Sequence, residues 1–508
     1  MLSSVVKGFK VYYLILAIVL FLIFLLRFPS LFEPFWYGDE GIFAAVAKNL
    51  NIGGTLYQTA WDNKPPMIYL TYALIFKTLG VSMFWLRLMT IIVVLITATL
   101  IYEIAKEILS GKRALVATFI FGFLTSMRLI EGNLSLTEIF MILPITFAMF
   151  LAIYREFDLI SLFFSGVLFA IASMYKQVGA LEALALGIFL FLASKNFWEF
   201  VKKGVVLTVG FAIPFGLTVL YFAPKGLLSD YVFAAYTYYR IYLGESPRYA
   251  LFINILKFLP IISAVCWGIY KRSLRSSPAM QDAGLKKIKG EITVFQLFLL
   301  WAAFSFLGSY FSGRTYGHYL VQATPAVSLL LASISLKPKF TRAQAIFAVF
   351  FFIPLVFLTK LLFTNFLSAG PINQVSYWQN FTEFLLGKKS LNAYNDYFDS
   401  NVNSIMALGD FLNANNVHGE YVYIWGDYPW LYAISDVKNP IRYVTSFHVF
   451  GVPNGREEVI AKLEENQPVY IIKPPNSIGY FAELERLIGE RYTYLAQVEN
   501  SQVFVKSK

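Results

Sequence analysis

Four short stretches carry the residues that could do chemistry. YGDEGIFAAVAKNL sets Asp39 beside Glu40, just ahead of a helical pattern from Ile42 to Leu50, and WDNKPPMIYL follows with Asp62, Lys64, Pro65 and Pro66. EGNLSLTEIF holds Glu131, Asn133 and Glu138, Lys176-Gln177 ends an apolar run, and GRTYGHYLVQATP holds Arg314, Tyr316, His318 and Tyr319. A carboxylate can take the proton of an attacking hydroxyl in a transition state. Lysine and arginine neutralise phosphate oxygens, and histidine donates or titrates. Together these groups suit displacement of a phosphate from carbon by a hydroxyl. The departing phosphate is already a stable anion, so it needs cations rather than a general acid. Asp39 facing Lys64, Arg314 and His318 would meet both demands without a second carboxylate at glycosidase spacing, and direct displacement would invert the carbon. Asp39, Glu40 and Glu138 could hold a metal ion, but the cationic side chains make one unnecessary. No metal or other cofactor is expected.

Each stretch also has a plainer reading. Asp39 and Glu40 sit where a helix amino terminus favours carboxylates. Pro65 and Pro66 stop a helix from starting earlier. Lys64 and Lys176 are placed to snorkel from apolar surroundings to water, or alternatively to meet a lipid phosphate at headgroup depth. Glu138 lies at membrane depth, where a carboxylate is costly unless it faces a polar cavity. Arg314 and His318 run against the charge bias of the surrounding loops, which favours a functional reading. Asn133-Leu134-Ser135 fits a glycosylation sequon.

The elements that must position these residues are mostly membrane helices. Of the 508 residues, 57% are hydrophobic and 14% charged, with mean hydropathy +0.60. A soluble domain could not hide so much apolar surface. Apolar runs of about 18 or more residues recur near 11–28, 84–105, 113–129, 137–154, 159–175, 178–194, 204–222, 250–270, 292–312, 318–336 and 343–363. The first follows Lys7 and Lys10, lacks a small-residue cleavage site and reads as a retained signal anchor. The lone Cys266 excludes an intrachain disulfide and a thiolate metal cluster, and reads as a packing residue.

Charge sets the sidedness. The net charge of +11 is concentrated in short loops, at Lys106/Lys112/Arg113, Lys195/Lys202/Lys203, Lys271 to Lys289 and Lys337/Lys339/Arg342. That is the positive-inside pattern and not a nucleic-acid footprint, so no nucleic-acid partner is expected. All four clusters fall on the amino-terminal, cytoplasmic side if 66–80 does not cross the bilayer. The outer side then receives 29–83, 130–136, 175–178, 223–249, 313–317 and the carboxy-terminal region. Trp36, Tyr37, Tyr57, Trp61 and Trp85 suit a segment lying at headgroup level.

After a 1–363 membrane domain and a 364–400 linker, residues 401–508 read as a soluble extracytoplasmic α/β domain. Its helices fall at 402–415, 455–466 and near 479–488, and its strands at 421–425, 469–473, 491–498 and 502–506. The expected fold class is a polytopic α-helical membrane protein of about 11–13 transmembrane helices with a C-terminal α/β domain.

With Asp39-Glu40 in the first outer loop, Lys64-Pro65-Pro66 after it and Arg314…His318-Tyr319 before a late span, the chain resembles the GT-C superfamily. Specifically, it resembles the protein O-mannosyltransferases and the lipid A aminoarabinose transferase. The resemblance covers roughly residues 10–360 and implies a cell-membrane glycosyltransferase using a polyprenyl-phosphate sugar donor, with a glycan, lipid or protein acceptor. It implies Asp39 as the base, Glu40 and Glu138 shaping the sugar or acceptor site, and Lys64, Arg314 and Lys176 holding the lipid phosphate. The chain lacks the large β-rich insertion of eukaryotic protein mannosyltransferases. Two other classes fit the same hydropathy: a transporter or lipid flippase, and an oligosaccharide polymerase or ligase. The first calls for ionisable groups at mid-membrane depth and broken helices in related halves, whereas these candidates cluster at one surface.

Overall fold

The computed structural model describes residues 2–243, 250–273, 294–314, 316–334, 341–363, 373–475, 477 and 479–507. Most of the basic run from Lys271 to Lys289, together with Lys337, Lys339 and residues 364–372 of the expected linker, lies outside them. Two compact units are present.

The first unit comprises Met1–Phe28, Met89–Leu220 and Glu245–Gln374, and among the described residues its regular elements are all helical. Six helices among the described residues are long and apolar enough to cross a membrane, in segments Val11–Phe32, Met83–Ile108, Thr137–Tyr154, Phe197–Lys225, Ile253–Lys271 and Arg342–Lys360. Other expected crossings are shorter helices: Gly111–Thr125, Leu159–Tyr175, Leu181–Ala193 and Val294–Tyr310. The run expected as one span at 318–336 divides into a 3-10 segment, Gly317–Ala323, and a helix, Thr324–Ser333. Pro325 starts that helix, and as a residue without an N–H it disfavours α-helix immediately before it.

Small residues let the helices approach closely, as expected where lipid removes most of the hydrophobic drive for helix pairing. A Cβ on Gly166 would lie 2.1 Å from the Leu207 carbonyl oxygen, and one on Gly210 would lie 2.0 Å from that of Phe163. The crossing of Leu159–Tyr175 with Phe197–Phe222 is thus reciprocal. Buried Arg27 donates to the Thr125 carbonyl at 2.6 Å and to the Gly132 carbonyl at 2.9 Å, tying the loop after residue 125 to the first helix. Cys266, expected as a packing residue, is exposed on the surface of helix Ala250–Ser273, on the same side as exposed Ile262 and Ile269.

The second unit comprises Pro29–Leu88, Tyr221–Gly244 and Val375–Lys508, so the first expected outer loop packs in one body with the carboxy-terminal region. Its four-stranded sheet has the order β1 (Val422–Ile424), β2 (Tyr470–Lys473), β4 (Ser501–Lys506), β3 (Tyr492–Val498). The β1–β2 pair is parallel and the other two antiparallel. Parallel pairing demands a long crossover, which residues 425–469 supply with helix Gly455–Asn466. Residues 374–396, expected inside a linker, instead form helices Gln374–Leu385 and Leu391–Asp396. Tyr377, Tyr394 and Phe398 are their buried core, with Trp36 packed against it. The helix Met67–Leu79 has 13 residues, about 20 Å at 1.5 Å per residue, short of the roughly 30 Å hydrocarbon core.

One ion network holds the start of the first loop. The Arg87 guanidinium, fully buried, pairs with both oxygens of Glu40 and donates to Glu33 at 2.8 Å. Glu33 also accepts from Tyr377 at 2.7 Å and from the Trp36 indole at 3.1 Å. Removing one partner of such a group strands the others, at a cost of about 3–5 kcal/mol. Arg87→Met should therefore lower the Tm of the detergent-purified protein by several degrees, and adding Glu33→Gln and Glu40→Gln should recover part of the loss. Unchanged unfolding of Arg87→Met would show that the network contributes nothing.

Candidate functional site

The candidate residues form two local sets, one in each unit. In the second unit, Tyr37 has extended backbone and the helix Gly38–Asn51 begins directly after it, putting Asp39 and Glu40 in the first turn. The two neighbours then differ. Glu40 is fully buried and both its oxygens are taken by Arg87, so it anchors the helix and is not presented to a substrate. Asp39 is partly exposed and has no hydrogen-bonding or ionic partner among the described residues. Its position is fixed through the backbone. The Trp430 indole donates to the Tyr37 carbonyl at 3.0 Å, and a Cβ on Gly41 would lie 2.8 Å from the Trp430 ring.

The Asp62–Lys64 turn is held as firmly. Asp62, 2% exposed, accepts from the Tyr69 hydroxyl at 2.6 Å and pairs with His448 Nε2 at 3.2 Å. The Trp61 amide donates to the Arg442 carbonyl at 2.9 Å, and the Trp61 ring meets Tyr238, Tyr443 and His448 edge-on. Tyr57 donates to the Lys64 carbonyl at 2.8 Å, while Arg442 reaches the Tyr57 carbonyl at 3.2 Å. Tyr57 and Trp61, expected at headgroup level, are therefore fully buried as clasps within this unit. Lys64 itself is partly exposed, with its ammonium 2.8 Å from the Asn63 side-chain oxygen. Asp62, expected in substrate binding, is instead committed to the clasp. Burial alone would raise its pKa, but the Lys64 charge and the hydrogen bonds from His448 and Tyr69 outweigh that and hold it below the usual carboxylate range.

In the first unit, Glu138 and Lys176 come from the start of one helix and the end of the next. Their side chains pair at 2.5 Å, and Thr137 donates to the other Glu138 oxygen at 2.8 Å. The Lys176 ammonium also lies 3.5 Å from the centre of the Tyr319 ring, a cation–π contact. His318 Nδ1 is 2.6 Å from Glu131, whose backbone is left-handed with φ 51°, and Glu138 and Lys176 are its other charged neighbours. Tyr316 stacks on the His318 ring at 5.5 Å. Arg314 is partly buried beside the Gly313 turn, where φ is 68°. Asn133 is 3% exposed, and that burial removes its amide from the glycosylation reading.

Glu138, Lys176, His318 and Tyr319 are thus brought together with Glu131. Asp39 and Lys64 belong to the other unit. Sequence reasoning missed Glu33, Arg87, Trp430 and His448, because Arg87 meets Glu40 and Glu33 47 and 54 residues away, Trp430 reaches Tyr37 393 residues away, and His448 meets the distant Asp62. The one available signal was Arg87 inside an apolar helix, where an unpaired charge is costly. Among the described residues no group of three or more His, Cys, Asp or Glu could hold a metal ion.

Beside the Lys176–His318 set runs an apolar groove of about 580 Å3. Leu129, Ile130 and Leu320 line it, adjoining Glu131 and Tyr319 in sequence, and Phe306, Phe352 and Val356 continue its wall.

The dolichyl-phosphate-mannose-protein mannosyltransferase family matches residues 63–222. An uncharacterized protein of Aquifex aeolicus (strain VF5) is 26% identical over 147 residues, covering 28% of this chain and 29% of that relative. The chain therefore spans less than a third of the curated relative it matches. Among solved structures, ArnT from Cupriavidus metallidurans bound to undecaprenyl phosphate aligns over 98% of both chains, with TM-score 0.54 and 15% identity. The archaeal oligosaccharyltransferase AglB from Archaeoglobus fulgidus aligns over 91% of this chain and 69% of its own, with TM-score 0.42 and 12% identity.

The depressed Asp62 pKa links the clasp to pH. A carboxylate with a lowered folded pKa stabilises the protein fully above its unfolded value, near 3.9, and loses that contribution as pH falls through the folded one. Asp62→Asn should destabilise the protein by about 3 kcal/mol at neutral pH. The gap in Tm between wild type and variant should narrow only below about pH 4. A gap that closes already between pH 7 and 5 would contradict the assignment.

Proposed function

We propose that this chain, a polytopic membrane protein with the GT-C fold, is a glycosyltransferase that moves a sugar from a polyprenyl phosphate to a hydroxyl acceptor outside the cytoplasm. The observation that carries the reading is an apolar groove in the first unit beside a polar set that holds Lys176 and His318, each with a carboxylate partner. Part of the groove wall, Leu129, Ile130 and Leu320, comes from the same two segments as Glu131 and His318. A ligand served by both has an anionic head and a long apolar tail. Polyprenyl phosphate has that chemistry, and undecaprenyl phosphate is the ligand bound in ArnT.

On this reading Lys176, His318 and Arg314 take the phosphate, and Glu138 and Glu131 hold the first two in place. Lys64 is a further candidate cation. Asp39 is the base, because Glu40, Asp62, Glu131 and Glu138 are each committed to a partner while Asp39 is not. The acceptor oxygen bonds to the anomeric carbon as the bond from that carbon to the phosphate oxygen breaks. The acceptor proton passes to Asp39, the electron pair leaves with the phosphate, and the anomeric configuration inverts. No general acid is required. The reaction side follows from the charge bias of the loops, with the amino terminus cytoplasmic and the carboxy-terminal region outside.

Purified protein incubated with a panel of polyprenyl-phosphate sugars should release free polyprenyl phosphate. Asp39→Asn should lower turnover by about 10²–10⁴-fold while thermal unfolding and undecaprenyl phosphate binding stay as in wild type. Retained turnover would remove Asp39 from the role. In a Cys266→Ser background, Lys388→Cys should react with a membrane-impermeant maleimide in intact cells. Labelling only after permeabilisation would reverse the orientation.

A further inference from the structure

The Gly317–Ala323 segment that presents His318 and Tyr319 is an unusual support. It is a 3-10 helix of seven residues, whereas runs beyond three or four are uncommon because their hydrogen-bond geometry is poor. A segment of that length needs ties from outside itself. Two are present. The Ser309 hydroxyl donates to the Tyr319 carbonyl at 2.6 Å, and the Gln322 side chain donates to Glu182 at 2.8 Å.

Glu182 is the surprising member. It is fully buried in the first turn of helix Leu181–Ala193, where a carboxyl costs far more than an apolar side chain. One of its oxygens accepts from Ser305 at 2.9 Å as well as from Gln322, and the other has no hydrogen-bond partner among the described residues. Gln322 is pressed flat over Gly308, since a Cβ there would lie 2.6 Å from its amide. Its amide nitrogen also lies 3.4 Å from the Val178 carbonyl.

The spacing explains why a polar group is kept here. In a 3-10 helix residues three apart lie on one face, so Tyr319 and Gln322 face the same way. Tyr319 meets Lys176 and Gln322 meets Glu182. Lys176 and Glu182 flank the short 3-10 turn Gln177–Ala180. Two points on one segment are therefore fastened to two points on the other. Slipping the segment by one residue would rotate it by about 120° and break both contacts. An apolar residue at 182 could fill the space but could not select this register.

We propose that Glu182 is a positioning residue. With Gln322 and Ser305 it fixes the register of the 3-10 segment, and so the placement of His318 and Tyr319 against Lys176 at the site for the lipid phosphate. It touches no substrate. The consequence for catalysis rests on the transferase reading above, whereas the tie itself does not.

The test uses the full chain in nanodiscs and four variants: Glu182→Ala, Gln322→Ala, their double variant, and the swap Glu182→Gln with Gln322→Glu. Each single alanine variant should raise KM for the polyprenyl-phosphate sugar by up to about tenfold, the loss expected for a buried side-chain hydrogen bond, with kcat changed less than about threefold. The double variant should be no worse than either single, and the swap should return KM to within about threefold of wild type, as coupling within one pair requires. Hydrogen exchange at the amides of 317–323 should quicken in the alanine variants and recover in the swap. Unchanged KM and exchange in a folded Glu182→Ala protein would overturn the proposal, as would additive losses in the double variant. Should Glu182→Ala fail to fold, the Gln322→Ala and swap proteins decide by the same criteria. Should wild type release no lipid phosphate from any donor, the transferase reading falls and the exchange data alone decide on the tie.

Discussion

A charge taken out of water must meet an opposite charge or a full set of hydrogen bonds, and that requirement organises this protein. Arg87 shows it most plainly. Its guanidinium is wholly buried and is tolerated because Glu33 and Glu40 come to it from the segment that precedes and opens the first loop helix. The same rule joins Lys176 to Glu138, His318 to Glu131 and His448 to Asp62. Each pair links segments far apart in the chain, so each is both an electrostatic necessity and a geometric constraint. Asp39 stands outside the rule because it is partly exposed and has no partner among the described residues.

The carboxy-terminal region takes its meaning from these constraints. Trp430 reaches the backbone of Tyr37, His448 reaches Asp62, and Arg442 reaches the backbone of Tyr57. These contacts fall on, or just before, the two short stretches that carry Asp39 and Lys64. A loop of that length left to itself would sample many conformations, and fixing each residue costs about 1–2 kcal/mol of entropy. Packing the loop in one body with a sheet and its helices meets that cost during folding and not at each encounter with substrate. The region acts as a clamp on the loop.

The first unit solves the same problem with helix ends. The start of helix Thr137–Tyr154 meets the end of helix Leu159–Tyr175, and the 3-10 segment Gly317–Ala323 packs against the first of them with its own ties to Ser309 and Glu182. Irregular backbone at such a depth is tolerated where it is buried in protein and its polar groups are satisfied.

By itself the sequence determined the class of protein, the helices of its membrane part in outline, and the strands and three helices of the carboxy-terminal sheet region. Those features depend on local periodicity, on run length and on turn residues, which neighbouring residues specify. It also singled out Asp39, Lys64, Glu138, Lys176 and His318, since charge in apolar surroundings is visible without knowing its partner. What only the tertiary structure decided was the use of each charge. Asp39 and Glu40 are adjacent and chemically alike, yet one is open and the other is spent on Arg87, because a helix turns by about 100° per residue and points them to different surroundings. Asp62 was legible as acidic but not as the partner of a histidine 386 positions later. The break of the 318–336 run, the helices inside the expected linker and the buried Glu182 follow from contacts of the same kind, made between residues that share no local pattern.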